Sequence, residues 1–136
     1  MGGLFGVASR EDCVFDLFFG TDYHSHLGTR RAGMAAYDRK IGLQRTIHNI
    51  ENAPFRTKFE HTLSDMSGTS AIGSISDSDP QPLLIRSRLG IYAISTIGII
   101  NNSEEIINKF LSDTAVHFDS MTGGAINSTE LVAALI

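Results

Sequence analysis

Apolar and polar positions alternate and recur along this chain in two periods, and the changes between them predict its elements. "GLFGVAS" is an apolar segment of strand length. Ser9 with Asp12 three residues later resembles a capping box, after which Val14, Leu17 and Phe18 fall at helical spacing, and Gly20 is expected to stop that helix. Phe15, Phe18 and Phe19 are read as core side chains. The polar, glycine-bracketed "TDYHSHLGTRRAG" reads as a loop. "GMAAYD" and "LQRTIHNI", joined by "RKIG", form a predicted hairpin. Phe55, Phe59, Leu63 and Met66 recur at intervals of four, four and three, one face of a helix that buries its phenylalanines against a sheet.

A second β region follows in "TSAIGSI", "LLIRS" and "GIYAISTIGII", with "SDSDPQP" as a loop. Asn102 with Glu105, and Asn127 with Glu130, predict caps for the helices "SEEIINKFLS" and "STELVAALI". The last helix runs to Ile136 without a glycine, basic turn or proline. The expectation is one domain over residues 1–136, belonging to a longer chain or having its end covered by a partner. Strands paired in hairpins with helices attached indicate an α+β layered architecture.

Composition narrows the function classes. The chain has 136 residues, 42% apolar and 19% charged, as an ordinary globular domain does. Its net charge is −4, from 15 acidic against 11 basic residues with no long basic run, which argues against nucleic-acid binding. No apolar run approaches a membrane span, Asp16 interrupts the one apolar stretch near the start, and Gly6 departs from the myristoylation pattern. A single cysteine, Cys13, forms no intrachain disulfide and fits a reducing cytoplasm.

Four stretches carry a resemblance. "MGGLFGV" is similar to the Met-Cys-Gly-Ile-hydrophobic-Gly opening of the class II glutamine amidotransferases, the N-terminal-nucleophile glutaminases. "HLGTRRAGMAAYD" resembles the His-Arg-Gly-x-x-x-Ala-Gly-Ile segment of the amidophosphoribosyltransferase branch, "TIGIINN" its His-Asn-Gly-Asn-Leu-x-Asn loop, and "NSTELVAALI" its Ser-Asp-Thr-Glu helix start. Their order and spacing match from Met1 to Ile136. The resemblance implies a four-layer α-β-β-α sandwich of antiparallel sheets, of which this chain would hold the first part. It also implies a phosphoribosyltransferase-like domain beyond Ile136, a homo-oligomer, a place in purine synthesis, and no cofactor.

Carried over by position, the chemistry is missing. The family's cysteine attacks the glutamine amide with its own α-amine as base, whereas here methionine removal exposes Gly2. The arginine that clamps the substrate carboxylate aligns with Ser76, next to a repelling Asp77. The asparagine of the oxyanion hole aligns with Ile97; Gly98 still offers an N–H, but one lost donor costs about 2.7–4 kcal/mol. The aspartate that holds the substrate amine aligns with Ser128, while Thr129 and Glu130 are kept, and Gln81-Pro82 matches a Gln-Pro pair. The implied reading is a glutaminase domain without catalytic residues, whose role is structural, regulatory or in assembly. A binding module that reuses the cleft for another metabolite or peptide is the alternative, and a hydrolase using Ser9, Cys13 or the Gly2 amine is the third.

Other candidates have plain readings. Cys13 reads as a small buried hydrophobe. His24 and His26 have no third metal ligand in view, and Asp77 with Asp79 lacks a calcium-loop series. Arg30 and Arg31, between Gly28 and Gly33, are a candidate anion contact.

Overall fold

The computed structural model describes residues 2–113, 117–119 and 121–136. The opening strand β1 (Gly3–Ala8) leads into helix α1 (Val14–Tyr23), a hairpin of β2 (Arg31–Asp38) and β3 (Gly42–Asn49), a short helix α2 (Phe55–Phe59) and strand β4 (Ser70–Ser76). These strands form one antiparallel sheet in the order β1-β4-β2-β3. Its register aligns Gly3, Ile75 and Ala32 across three strands, and likewise Phe5, Gly73 and Met34. At the β2–β3 turn, Asp38 accepts hydrogen bonds from the Lys40 and Ile41 amides, which hold its carboxyl below the ordinary value.

Strand alternation sends Ala32, Met34 and Ala36 of β2 to one face, where Val14, Leu17 and Phe18 of α1 meet them with Phe55, Phe59 and Met66. Phe55 and Phe59 stack with ring centroids 4.4 Å apart. Burial continues on the other face of β2 at Gly33 and Ala35, so this central strand is covered on both sides. Gly33 has no alternative there, because a Cβ would overlap the Gln81 carbonyl of the segment that crosses it.

That segment, with a cis Gln81–Pro82 bond, feeds the hairpin of β5 (Leu83–Ser87) and β6 (Gly90–Ile94). Helix α3 (Ser103–Asp113), the two-residue strands β7 (Met121–Thr122) and β8 (Ala125–Ile126), and helix α4 (Ser128–Ala134) follow. Helix α4 packs on β5, and α3 lies against α4. The layers are helices, the four-stranded sheet, the β5–β6 hairpin and the last helices.

Several expectations change. Helix α1 continues through Gly20, whose missing side chain is the space the Phe5 ring occupies. It consequently takes in Thr21–Tyr23, and a 3-10 turn at Ser25–Leu27 replaces most of the expected loop. Ser9 does not cap α1: the cap position is Cys13, which makes no side-chain cap bond, and just before it the Asp12 carboxylate accepts the Val14 N–H at 3.1 Å and the Gly68 N–H at 2.8 Å, while the Ser9 hydroxyl accepts from Glu11. The helix over 55–66 closes after Phe59 into 3-10 geometry, yet keeps Phe55, Phe59 and Met66 buried. The strand expected through "STIGII" ends at Ile94. Phe18 is core as expected, but Phe15 and Phe19 are 62% and 54% exposed.

Asn127 caps α4 by accepting the Thr129 N–H at 2.9 Å. Glu130 accepts from the Asp119 amide. Leu135 and Ile136 are exposed. No helix among the described residues is long and apolar enough to cross a membrane.

Candidate functional site

Strand β4, inside the sheet, ends at the buried Ser76 beside the start of β1, and the chain then turns sharply. Ser76 Oγ accepts the Ser78 N–H at 3.2 Å, fixing that turn. Asp77 points back across it: the chain's amino terminus and then the Thr29 amide, 2.7 Å away, hold its carboxyl below the ordinary value. Asp79 reaches the other way and accepts both the Ser128 N–H (3.1 Å) and the Ser128 hydroxyl (2.8 Å), tying the loop to α4.

Beneath the loop runs a chain of buried polar contacts. Gln81 Oε1 accepts the Thr96 N–H at 2.7 Å, which is where the expected strand loses its next ladder bond. Thr96 Oγ1 and Thr129 Oγ1 lie 2.7 Å apart, and the Asn127 side chain donates to the Pro80 carbonyl. Gln81, Asn127 and Thr129 are all buried. The network locks the loop after β4, the exit from β6 and the start of α4 together.

The three elements enclose a cavity of about 340 Å³ against the start of β1. Gly2, Ser76, Ile97, Gly98 and Ser128, chosen from four separate stretches of sequence, all line it. Asp77, Ser78, Gln81, Thr96 and Ile99 complete the lining, so Asp77 is the one charged side chain among the described residues there. Gln81 and Thr96 form part of the wall although the resemblance gave neither a role; Gln81 stood in the matched Gln-Pro pair and Thr96 at the head of the matched "TIGIINN" stretch. A neighbouring cavity of about 480 Å³ shares Gly98, Ile99 and Ser128, and the rest of its wall is mainly apolar, Ile107, Met121 and Leu131 among it, with Ser103 and Glu104.

The remaining candidates lie elsewhere. Arg30 stands 3.6 Å from Glu51, and Arg31 donates to the Ser78 carbonyl at 3.2 Å, so the two diverge and neither lines the cavity. His24 Nδ1 is 2.8 Å from the Gly20 carbonyl within its own helix. No group of three or more His, Cys, Asp or Glu side chains gathers among the described residues. Cys13, fully buried, donates to the Gly68 carbonyl at 3.2 Å. Burial pushes its thiol pKa up, and Asp12 and Asp16 add to this, the reverse of what a nucleophile needs. It sits at the far end of β4 from Ser76, roughly 20 Å away at strand rise.

Two solved structures share this architecture. Glutamine phosphoribosylpyrophosphate amidotransferase from B. subtilis, in complex with ADP and GMP, matches with a TM-score of 0.79 and 25% identity over 99% of this chain. The fold is that of its glutaminase domain. An allosteric regulatory enzyme of purine biosynthesis matches with a TM-score of 0.80 and 24% identity, also over 99%. The chain spans 29% of the length of each of these two proteins. No family model and no curated protein matches the chain. The expected sandwich of antiparallel sheets is therefore the fold adopted, and the five matched positions meet in one cleft of it.

Proposed function

We propose that this chain is a glutaminase-type domain that does not hydrolyse glutamine and has a structural, regulatory or assembly role in a larger, amidophosphoribosyltransferase-related protein of purine synthesis. The observation that carries this reading is the make-up of the cleft. Amide hydrolysis through a covalent intermediate needs a nucleophile, a base beside it and donors aimed at the oxyanion. Among the described residues that line the cavity there is no thiol, imidazole, guanidinium or side-chain amide other than Gln81, whose oxygen is held by Thr96. Ile97 faces the cleft where an oxyanion donor is needed, and Ser76 stands where a cation would have to hold the substrate carboxylate.

On this reading a phosphoribosyltransferase-like domain follows in the full protein, and any transferase reaction draws on free ammonia or ammonia from a partner. The test is incubation of the full chain with glutamine and measurement of glutamate. Release at the background rate is expected, and robust turnover refutes the proposal.

A second reading, a binding module, is favoured by two adjacent cavities that share Gly98, Ile99 and Ser128 in their walls. A hydroxyl-lined cavity beside a mainly apolar one suits a metabolite or peptide of mixed polarity. A thermal shift with such a compound supports this reading, and no shift across a broad metabolite panel counts against it.

A further inference from the structure

At the end of the four-stranded sheet away from the cleft, a cavity of about 560 Å³ opens between the loop after β1 and the β2–β3 turn. Ser9, Arg10, Asp38, Arg39, Lys40 and Thr69 line it. It lies past the Ala8–Ser70 pairing and shares no lining residue with the cleft, and Ser76 is roughly 20 Å away at strand rise.

Backbone hydrogen bonds fix the floor. The Ser9 amide donates to the Thr69 carbonyl at 2.8 Å and the Thr69 amide to the Tyr37 carbonyl at 3.0 Å, tying the ends of three strands together. Asp38 Oδ1 accepts the Lys40 and Ile41 amides at 2.7 and 3.1 Å, and Gly42 turns the chain back at φ +89°. The segment that carries Arg39 and Lys40 therefore has a set course before any ligand arrives, which lowers the ordering cost of binding.

The charge on this lining has no counterpart in the fold. Three cations (Arg10, Arg39 and Lys40) against one carboxylate (Asp38) leave +2, in a chain whose net charge is −4. One oxygen of that carboxylate already serves two amides. Arg30 and Arg56 each meet a carboxylate, but among the described residues none of these three cations forms an ion pair. Glu11 and Asp12 follow Arg10 without lining the cavity, and Asp12 is committed to the Val14 and Gly68 amides. Like charges so gathered repel one another until an anion joins them. Two hydroxyls add neutral donors: Ser9 Oγ accepts the Glu11 N–H at 3.2 Å and keeps its own proton to give, and Thr69 supplies the other.

We infer that this cavity binds a phosphate group, free or at the end of a small metabolite. Phosphate carries about two negative charges near neutral pH. Guanidinium forks match its oxygens in pairs, and an ammonium adds a point charge beside them. The volume falls in the range of about 300–1,000 Å³ usual for small-molecule sites, so an esterified phosphate has space for the group it carries. Three cations at one point do not follow a polynucleotide backbone. The site stands apart from the cleft and does not depend on whether the cleft hydrolyses glutamine.

Amide chemical shifts of the full chain test this during titration with inorganic phosphate or glycerol 3-phosphate, with chloride at matched ionic strength as the reference. Saturable shifts are expected at Ser9–Glu11, Asp38–Gly42 and Thr69 with both phosphates and not with chloride. Saturation at lower concentration by the ester identifies a phosphorylated metabolite as the ligand, and equal or tighter binding of the free ion identifies phosphate itself. Arg10→Ala and Arg39→Ala each weaken binding about tenfold, and Arg39→Lys less, because it keeps the charge and loses only the fork. Arg88→Ala, on the exposed β5–β6 turn, leaves binding unchanged. All four positions are on the surface, and unaltered shifts in β1, β2 and β4 establish that each variant is folded. Shifts that chloride reproduces, shifts scattered over other surfaces, affinity indifferent to Arg10→Ala and Arg39→Ala, or an equal loss in Arg88→Ala overturns the inference.

Discussion

Gly2 and Ile97 share one space: a Cβ built on Gly2 stands 3.1 Å from Ile97 Cδ1 and 2.5 Å from the Ile75 carbonyl oxygen. The start of β1 and the loop after β6 have closed on each other, so a side chain on residue 2 finds no room unless its neighbours shift. On the proposed reading, a cysteine placed at residue 2 does not by itself make a glutaminase site. Gly2→Cys is expected to release glutamate from glutamine at the background rate, and to lose about 1–3 kcal/mol of stability through overpacking. On the same reading, adding Ile97→Asn relieves part of that loss and supplies an oxyanion donor, yet still leaves Ser76 where the resemblance calls for a cation. Glutamate formation by either variant above the unmodified chain would contradict this account of the cleft.

Phe5 and Gly20 form a second pair of this kind within the core layer. Propensity alone favours Gly20→Ala by about 1 kcal/mol, because alanine suits a helix interior better. Packing opposes it, since the new methyl would overlap the Phe5 ring. The clash is the larger effect: Gly20→Ala is expected to destabilise the chain by about 1–3 kcal/mol in urea denaturation. Combined with Phe5→Leu the penalty shrinks, giving a coupling between the two sites that a double-mutant cycle measures. Additive losses would show that the two residues do not compete for space.

The same pair marks the limit of what could be read from the sequence. Periodicity located β1, the β2–β3 hairpin and the buried face of Phe55, Phe59 and Met66, because those signals lie within a dozen residues of one another. Gly20 looked like a helix stop because its reason, the Phe5 ring, is a tertiary contact from another strand. Phe15 and Phe19 looked like core because hydrophobicity does not tell which side of a helix faces out when both sides are apolar. The cleft was legible at five positions through local resemblance. Gln81 and Thr96 were not assigned to it, since a buried hydrogen bond between residues fifteen apart leaves no local pattern.

Cys13 predicts a dependence on alkaline pH. Its thiol pKa is raised in the folded chain from an ordinary value of 9.0, by burial first and by Asp12 and Asp16 next. A group that holds its proton more tightly when folded stabilises the fold fully below its unfolded pKa. That contribution disappears as pH rises through the raised folded value. Thermal stability is accordingly expected to fall above about pH 9, and Cys13→Ala to flatten that part of the profile. In the native chain at neutral pH, the thiol is expected to react with a disulfide reagent only as fast as the structure opens. Rapid labelling under native conditions would mean the thiol is accessible.

Thr96 and Thr129 predict how the cleft's wall responds to losing its polar ties. Their hydroxyls are 2.7 Å apart, Thr129 is fully buried, and the Thr96 amide depends on Gln81. Thr129→Val keeps the shape and removes the hydroxyl, leaving Thr96 Oγ1 without that partner, at a cost of about 1–3 kcal/mol. Gln81→Ala strands the Thr96 N–H and also empties volume beneath Gly33, so it is expected to cost at least as much. Because the two contacts meet at Thr96, the double variant should lose less than the sum of the singles. Amide hydrogen exchange localises the effect: protection should fall first at Thr96 and at Thr129, the two ends of the tie, while β1, β2 and β4 stay protected. Uniform loss across the four-stranded sheet would place these residues in the global core instead.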